Sequence, residues 1–106
     1  MVLHIVLFKW KEGVTEAQVN ALHRGMAGLT AQIPEVKDLQ WGSDLGFREG
    51  NASWALAALF DDQAGWHAYQ VHPAHVAVVQ NMALPITASR TAIQMKAPES
   101  WTKIPR

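Results

Sequence analysis

No cysteine occurs in the chain, which removes a disulfide framework, a thiolate zinc site and a cysteine nucleophile in one step. Charge bias is missing too: lysine plus arginine number 9 and aspartate plus glutamate number 9, so nothing draws the surface toward nucleic acid or an anionic membrane. Charged residues of both signs make up only 17% of the sequence, below the roughly 25% of an ordinary soluble domain. With hydrophobic residues at 49%, part of the surface is expected to lie under a partner. No apolar run reaches the ~20 residues a membrane span needs. The N-terminal MVLHIVLFKWKEG is shorter and shows neither a basic leader nor a small-residue cleavage site. GxGxxG, P-loop and GxSxG patterns are absent, so nucleotide cofactors and serine hydrolysis have no support. One soluble, cytoplasmic domain is the expectation, 106 residues being enough to bury a core without staples.

Val2 to Lys11 is rich in β-branched and aromatic residues and reads as a strand. His4, Val6, Phe8 and Trp10 face one way and Leu3, Ile5 and Leu7 the other, so both faces are apolar and the strand belongs at the centre of a layered structure. Thr15 with Gln18 three positions on is a capping-box pattern, heading a helix expected over Glu16 to Gln32. Val19, Leu22, Met26, Leu29 and Ile33 form its buried stripe. Gly25 and Gly28 cost helix propensity and mark either close packing or room for a ligand, close packing being the simpler reading. Pro34 stops the helix.

Val36 to Leu45 is expected as a second strand, with Leu39, Trp41 and Leu45 inward and Asp38, Gln40 and Asp44 wet. After a polar turn over Gly46 to Asn51, Trp54 to Phe60 returns as a third strand, closing a hairpin. Asp61-Asp62 heads a short helix bearing Trp66 and Tyr69, and His72-Pro73 breaks it. A further helix over Ala74 to Met82 ends at Pro85, and Ile86 to Lys96 is the fourth strand. The domain is thus expected to occupy residues 1–96, with 97–106 an irregular tail laying Trp101 against a surface. The order β-α-β-β-α-β is an α+β, ferredoxin-like plan: an antiparallel sheet of four strands with both helices on one face. Leu3, Ile5 and Leu7 on the other face need a cover, which a second copy packing sheet to sheet supplies.

Tyr69-Gln70-Val71-His72-Pro73-Ala74-His75 is the segment richest in chemistry. An imidazole with a pKa of about 6.5 moves protons near neutrality, and a neighbouring tyrosine can orient it or donate to a developing enolate oxygen. His4, on a core strand, needs a polar partner, and a cavity between sheet and helices would serve all three. The structural alternative is plain: a histidine before a proline caps a helix, and a buried His4 is a satisfied core residue. Metal binding finds no support, because His67, His72 and His75 lack the carboxylate or thiolate that completes a ligand set.

On His4-Ile5-Val6-Leu7-Phe8-Lys9-Trp10-Lys11, Ile33-Pro34-Glu35-Val36, Trp41-Gly42 and Tyr69 with His72-Pro73-Ala74-His75, the chain resembles the stress-responsive A/B-barrel domain family over about Val2 to Lys96. The resemblance implies a dimeric α/β barrel. It also implies kinship with the family's plant polyketide cyclases, whose cofactor-free aldol closure uses a tyrosine and a histidine at places matched by Tyr69 and His75. His4 matches a pocket histidine of those cyclases, whereas Trp54 stands where they have another histidine and Met26 where they have a tyrosine, which implies a narrower, less polar pocket. Val6, Phe8 and His72 complete the expected lining. Three readings follow: a cofactor-free lyase or cyclase acting on a small apolar carbonyl compound, a non-catalytic stress-related binding or structural dimer, and a cofactor-free monooxygenase of the antibiotic-biosynthesis type. A ligand cavity on the order of a few hundred Å³ would favour the enzyme.

Overall fold

A computed structural model describes residues 1–102 of the chain. Strand β1 (Val2–Trp10) lies at the centre of a four-stranded antiparallel sheet of order β2-β3-β1-β4, with β2 spanning Asp38–Ser43, β3 Trp54–Phe60 and β4 Thr87–Lys96. It pairs with β3 from Val2↔Phe60 to Phe8↔Trp54 and with β4 from Val2↔Lys96 to Trp10↔Thr87, so both edges are hydrogen-bonded. The helices cover one face: α1 (Glu16–Ala27), α2 (Leu29–Gln32), α3 (Gln63–Val71) and α4 (Pro73–Val78). The main core lies between them and the even-numbered side chains of β1 and β3, where Val6, Phe8, Leu56 and Phe60 meet Leu22, Leu29 and Tyr69.

Local chemistry sets the helix starts. The Gln18 amide donates to Thr15 Oγ1 at 3.3 Å and the Thr15 amide to Gln18 Oε1 at 2.8 Å, a complete capping box. Asp62 caps α3 by accepting from the Gly65 amide at 2.9 Å. His72 ends α3 and caps α4, its Nδ1 accepting from the Ala74 amide at 3.1 Å, while Pro73 fills the first turn where no amide hydrogen is needed. Beyond α4 the chain stays helical but winds wider over Val79–Ala83 and tighter over Leu84–Ile86.

Four expected boundaries are corrected. The first helix does not run through to Gln32: Gly28 interrupts it and a separate turn, α2, follows. The second strand is shorter at both ends than Val36 to Leu45: its ladder with β3 runs from Asp38↔Leu59 to Ser43↔Trp54, with one further bond from the Asp44 amide to the Ser53 carbonyl at 2.9 Å before the chain leaves for the loop. Leu45 is therefore not inward but 77% exposed in the loop. The fourth strand starts at Thr87 rather than Ile86, which is buried in the preceding turn and accepts from the Lys11 amide at 2.8 Å. The tail is not wholly irregular, since Glu99–Thr102 forms a short helical turn, α5. The Trp101 side chain and residues 103–106 lie outside the described residues.

On the open face Leu3 is buried with Leu59 and Ala97, the tail being tied back by the Ala97 amide donating to the Met1 carbonyl at 3.0 Å. Leu7 and Ile93 stay 46% and 55% exposed there, with Met95 beside them. No described helix is long and apolar enough to cross a membrane.

Gly25 sits at a close approach: a Cβ there would come within 2.6 Å of Met82 Sδ and 3.3 Å of both Val78 methyls. Gly28 has right-handed backbone, and a Cβ would meet the end of the Gln32 side chain at 3.3 Å. Gly28→Ala is expected to stabilise the fold by about 0.5–1 kcal/mol, through a less flexible unfolded chain. Gly25→Ala should destabilise it by about 1 kcal/mol, crowding outweighing the propensity gained. Urea denaturation of the two variants checks the opposite signs.

Candidate functional site

Because successive residues of a strand face opposite ways, His4, Val6 and Phe8 of β1 point to the helices, as do Trp54 and Leu56 of β3 and Arg90 and Gln94 of β4. A cavity of about 40 Å³ lies between this surface and the helices, with Tyr69 from α3 and His75 from α4 in its wall. Of the expected site residues it gathers His4, Val6, Phe8, Met26, Trp54, Tyr69 and His75. His72 is not among them: its ring nitrogen is committed to capping α4. The cavity is much smaller than the few hundred Å³ of a drug-sized ligand site, and has room for roughly two or three waters.

Tyr69 is fully buried, and its hydroxyl has no hydrogen-bond partner among the described residues. An orphaned buried hydroxyl costs about 1–3 kcal/mol, which a molecule in the cavity would relieve. Burial pushes its pKa upward, so it is a protonated donor at neutral pH. The His75 ring lies against it, ring centroids 3.9 Å apart. His75 Nδ1 faces the Gln70 carbonyl at 3.5 Å, and since a carbonyl only accepts, the proton sits on Nδ1 and Nε2 keeps its lone pair. Burial lowers the His75 pKa, partly opposed by that backbone contact and reinforced by Arg90 and His72. The neutral ring, a proton acceptor at Nε2, is the resting form.

His4 is held differently. Gln94 Nε2 donates to its Nδ1 at 2.9 Å, so the His4 proton is on Nε2 and the ring presents a donor. Burial, then His75, then Arg90 lower its pKa to about 4. Trp54 donates its indole N–H to His23 Nε2 at 2.8 Å and stacks on that ring. Its polar end is thereby used up outside the cavity, and with Phe8 at 5.2 Å it offers only carbon surface inside. Donors and a base thus line one part of the cavity and hydrocarbon the other. Among the described residues no group of three or more His, Asp or Glu could hold a metal ion.

Sequence reasoning missed Gln94, Arg90, Gln70 and His23. Alternation along β4 would have put Arg90 and Gln94 on one face. Nothing local could have joined Gln94 to His4, 90 residues away, or His23 to Trp54, 31 away.

The model of the Stress responsive A/B Barrel Domain matches residues 2–97. The chain belongs to that family. Olivetolic acid cyclase of Cannabis sativa is 30% identical to this A/B barrel domain over 77 residues, 71% of this chain and 76% of the cyclase. A dimeric ferredoxin-like protein of unknown function from Thermobifida fusca is 38% identical, with a TM-score of 0.84 over 91% of this chain and 90% of its own. Hydroxynitrile lyase from Passiflora edulis shares the fold, with a TM-score of 0.80 at 22% identity over 92% and 94% of the two chains.

His4 binds protons more weakly folded than unfolded, so the unfolded state takes up more protons between pH 6.5 and about 4. Stability should therefore fall as the pH drops through that window, by about 3 kcal/mol at most from His4, and His75 acts in the same direction. Thermal melts between pH 7 and 4 should show this slope, and His4→Gln should flatten it.

Proposed function

We propose that this A/B barrel domain is a cofactor-free lyase or cyclase that removes a proton α to the carbonyl of a small, mostly apolar compound. The observation that carries the reading is the unpartnered, buried Tyr69 hydroxyl beside a histidine whose Nε2 is free, both in the wall of one cavity. His75 Nε2 takes the α-proton, and the C–H electron pair moves into the enolate. Tyr69 Oη–H and His4 Nε2–H donate to the enolate oxygen. The enolate carbon then forms a carbon–carbon bond to a second carbonyl, and the proton held on His75 passes to the new alkoxide; cleavage is the same path reversed. Family membership and similarity to olivetolic acid cyclase support the reading, and the 40 Å³ cavity suits only a small reacting group. The active unit is proposed as a cytoplasmic homodimer packed through the open sheet faces, a reading supported by the exposed Leu7, Ile93 and Met95 and by the dimeric Thermobifida fusca protein.

The test is α-proton exchange of small ketones in D₂O, followed by NMR. The protein should outpace free imidazole at equal concentration, and His75→Ala and Tyr69→Phe should each lower the rate by about a hundredfold without loss of fold. The acid limb of the pH–rate profile should lie below the ordinary imidazole value, because His75 is held neutral. Exchange no faster than imidazole across the panel would favour the non-catalytic binding dimer, with which so small a cavity is also compatible.

Ile93→Glu places a charge on the apolar open face and is expected to yield a folded monomer by light scattering. A dimer that survives this change would move the interface elsewhere.

A further inference from the structure

Arg90 has no part in the chemistry above. It lies on the helix side of β4, opposite Phe8, and among the described residues is the only charged side chain in the cavity wall. It is solvent-exposed, as is Leu84, so these two mark where the cavity meets water. Among the described residues the one ion pair is Lys37 with Asp61, and the Arg90 guanidinium has neither a carboxylate nor a hydrogen-bond partner. The cavity wall it faces contains no acidic side chain among the described residues.

The remaining polar groups complete the pattern. Tyr69 offers a free hydroxyl, His4 an N–H fixed by Gln94, and Arg90 donors only. Apart from the Gln70 amide and the Tyr69 hydroxyl oxygen, the side-chain acceptor among the described lining residues is His75 Nε2. Such a wall suits two oxygen-rich groups on one molecule: a carbonyl at the closed end and an anion at the opening. A single planar guanidinium matches one carboxylate through two parallel N–H···O bonds, whereas a phosphate dianion calls for more donors than this opening supplies. The small volume points the same way, because only the carbonyl end must enter, the carboxylate staying at the mouth.

We infer that the substrate is a small carbonyl acid, its carbonyl entering the cavity against the wall formed by Tyr69 and His75 and its carboxylate held by Arg90. This rests on the proton-abstraction reading for what happens to the carbonyl, but the anion site stands on its own observations. Arg90 is then the specificity-determining residue.

Calorimetry with 2-oxobutanoate, 3-oxobutanoate and 4-oxopentanoate, each against its methyl ester, tests it. At least one acid should bind the wild-type protein about tenfold or more tightly than its ester. Arg90→Gln should bring that ratio close to one, and Arg90→Lys should recover part of it, since the charge remains but the fork is lost. Esters bound as well as acids by the wild type, or an acid preference unchanged in Arg90→Gln, would overturn the assignment. If Arg90→Gln is unstable, loss of the wild-type acid preference at high salt serves instead, and a preference insensitive to salt overturns it. Exchange of α-protons, measured on the same samples, separates the two ideas. Acid binding through Arg90 without exchange upholds the anion site and sinks the catalytic reading. Exchange on esters and acids alike, with a binding ratio near one, does the reverse.

Discussion

The arrangement depends on how tightly β1 is held. It is hydrogen-bonded along both edges and packed against helices on one face, so its pairing cannot slide without breaking two ladders at once. A slip of one residue would turn Leu3, Ile5 and Leu7 under the helices and expel His4, Val6 and Phe8. The site would then lose its donor and the floor of its cavity together. The same constraint brings Gln94 to His4, because the β1–β4 register sets those two residues opposite each other. One ladder therefore decides both the position of the imidazole and which of its nitrogens carries the proton.

The site carries costs that the rest of the fold offsets. A buried hydroxyl without a partner and two imidazoles kept neutral by burial each subtract from stability, although their rings pack against one another and the core. Three apolar side chains in their place would make a better core. Such local conflict, in a molecule whose caps and strand pairings otherwise agree with its sequence, is expected where function has been favoured over stability. The contrast with Trp54 sharpens the point. Its indole N–H is satisfied by His23 outside the cavity, whereas the Tyr69 hydroxyl, like the buried Trp66 indole N–H, has no partner among the described residues.

How much of this was legible from the sequence follows from how far each interaction reaches along the chain. The capping box at Thr15, the Asp62 cap and the break at His72-Pro73 involve partners two or three residues apart and were readable directly. The central position of β1 was readable because both its faces are apolar. The errors have distinct causes. Gly28 ends α1 with right-handed backbone, which leaves no pattern that separates a break from a continuing helix. Alternation carried the second strand on to Leu45, although a strand ends where its partner does, and that partner begins at Trp54. The polar contacts that tune the site link residues 31 and 90 positions apart, beyond any local pattern.

His72 and His75 show why residue type and spacing could not assign roles. Both belong to one short motif, in which the resemblance points to His75 as the base and leaves His72 to the pocket lining. Pro73 decides between them. It holds His72 in extended backbone at the helix boundary, where the ring nitrogen lies within reach of the Ala74 amide and is used up there. One turn on, His75 is already helical, its side chain faces the sheet, and its Nδ1 meets only a carbonyl. The first imidazole has spent its lone pair on the backbone, and the second has spent its proton. Only the second is left with a nitrogen that can accept one from a molecule in the cavity.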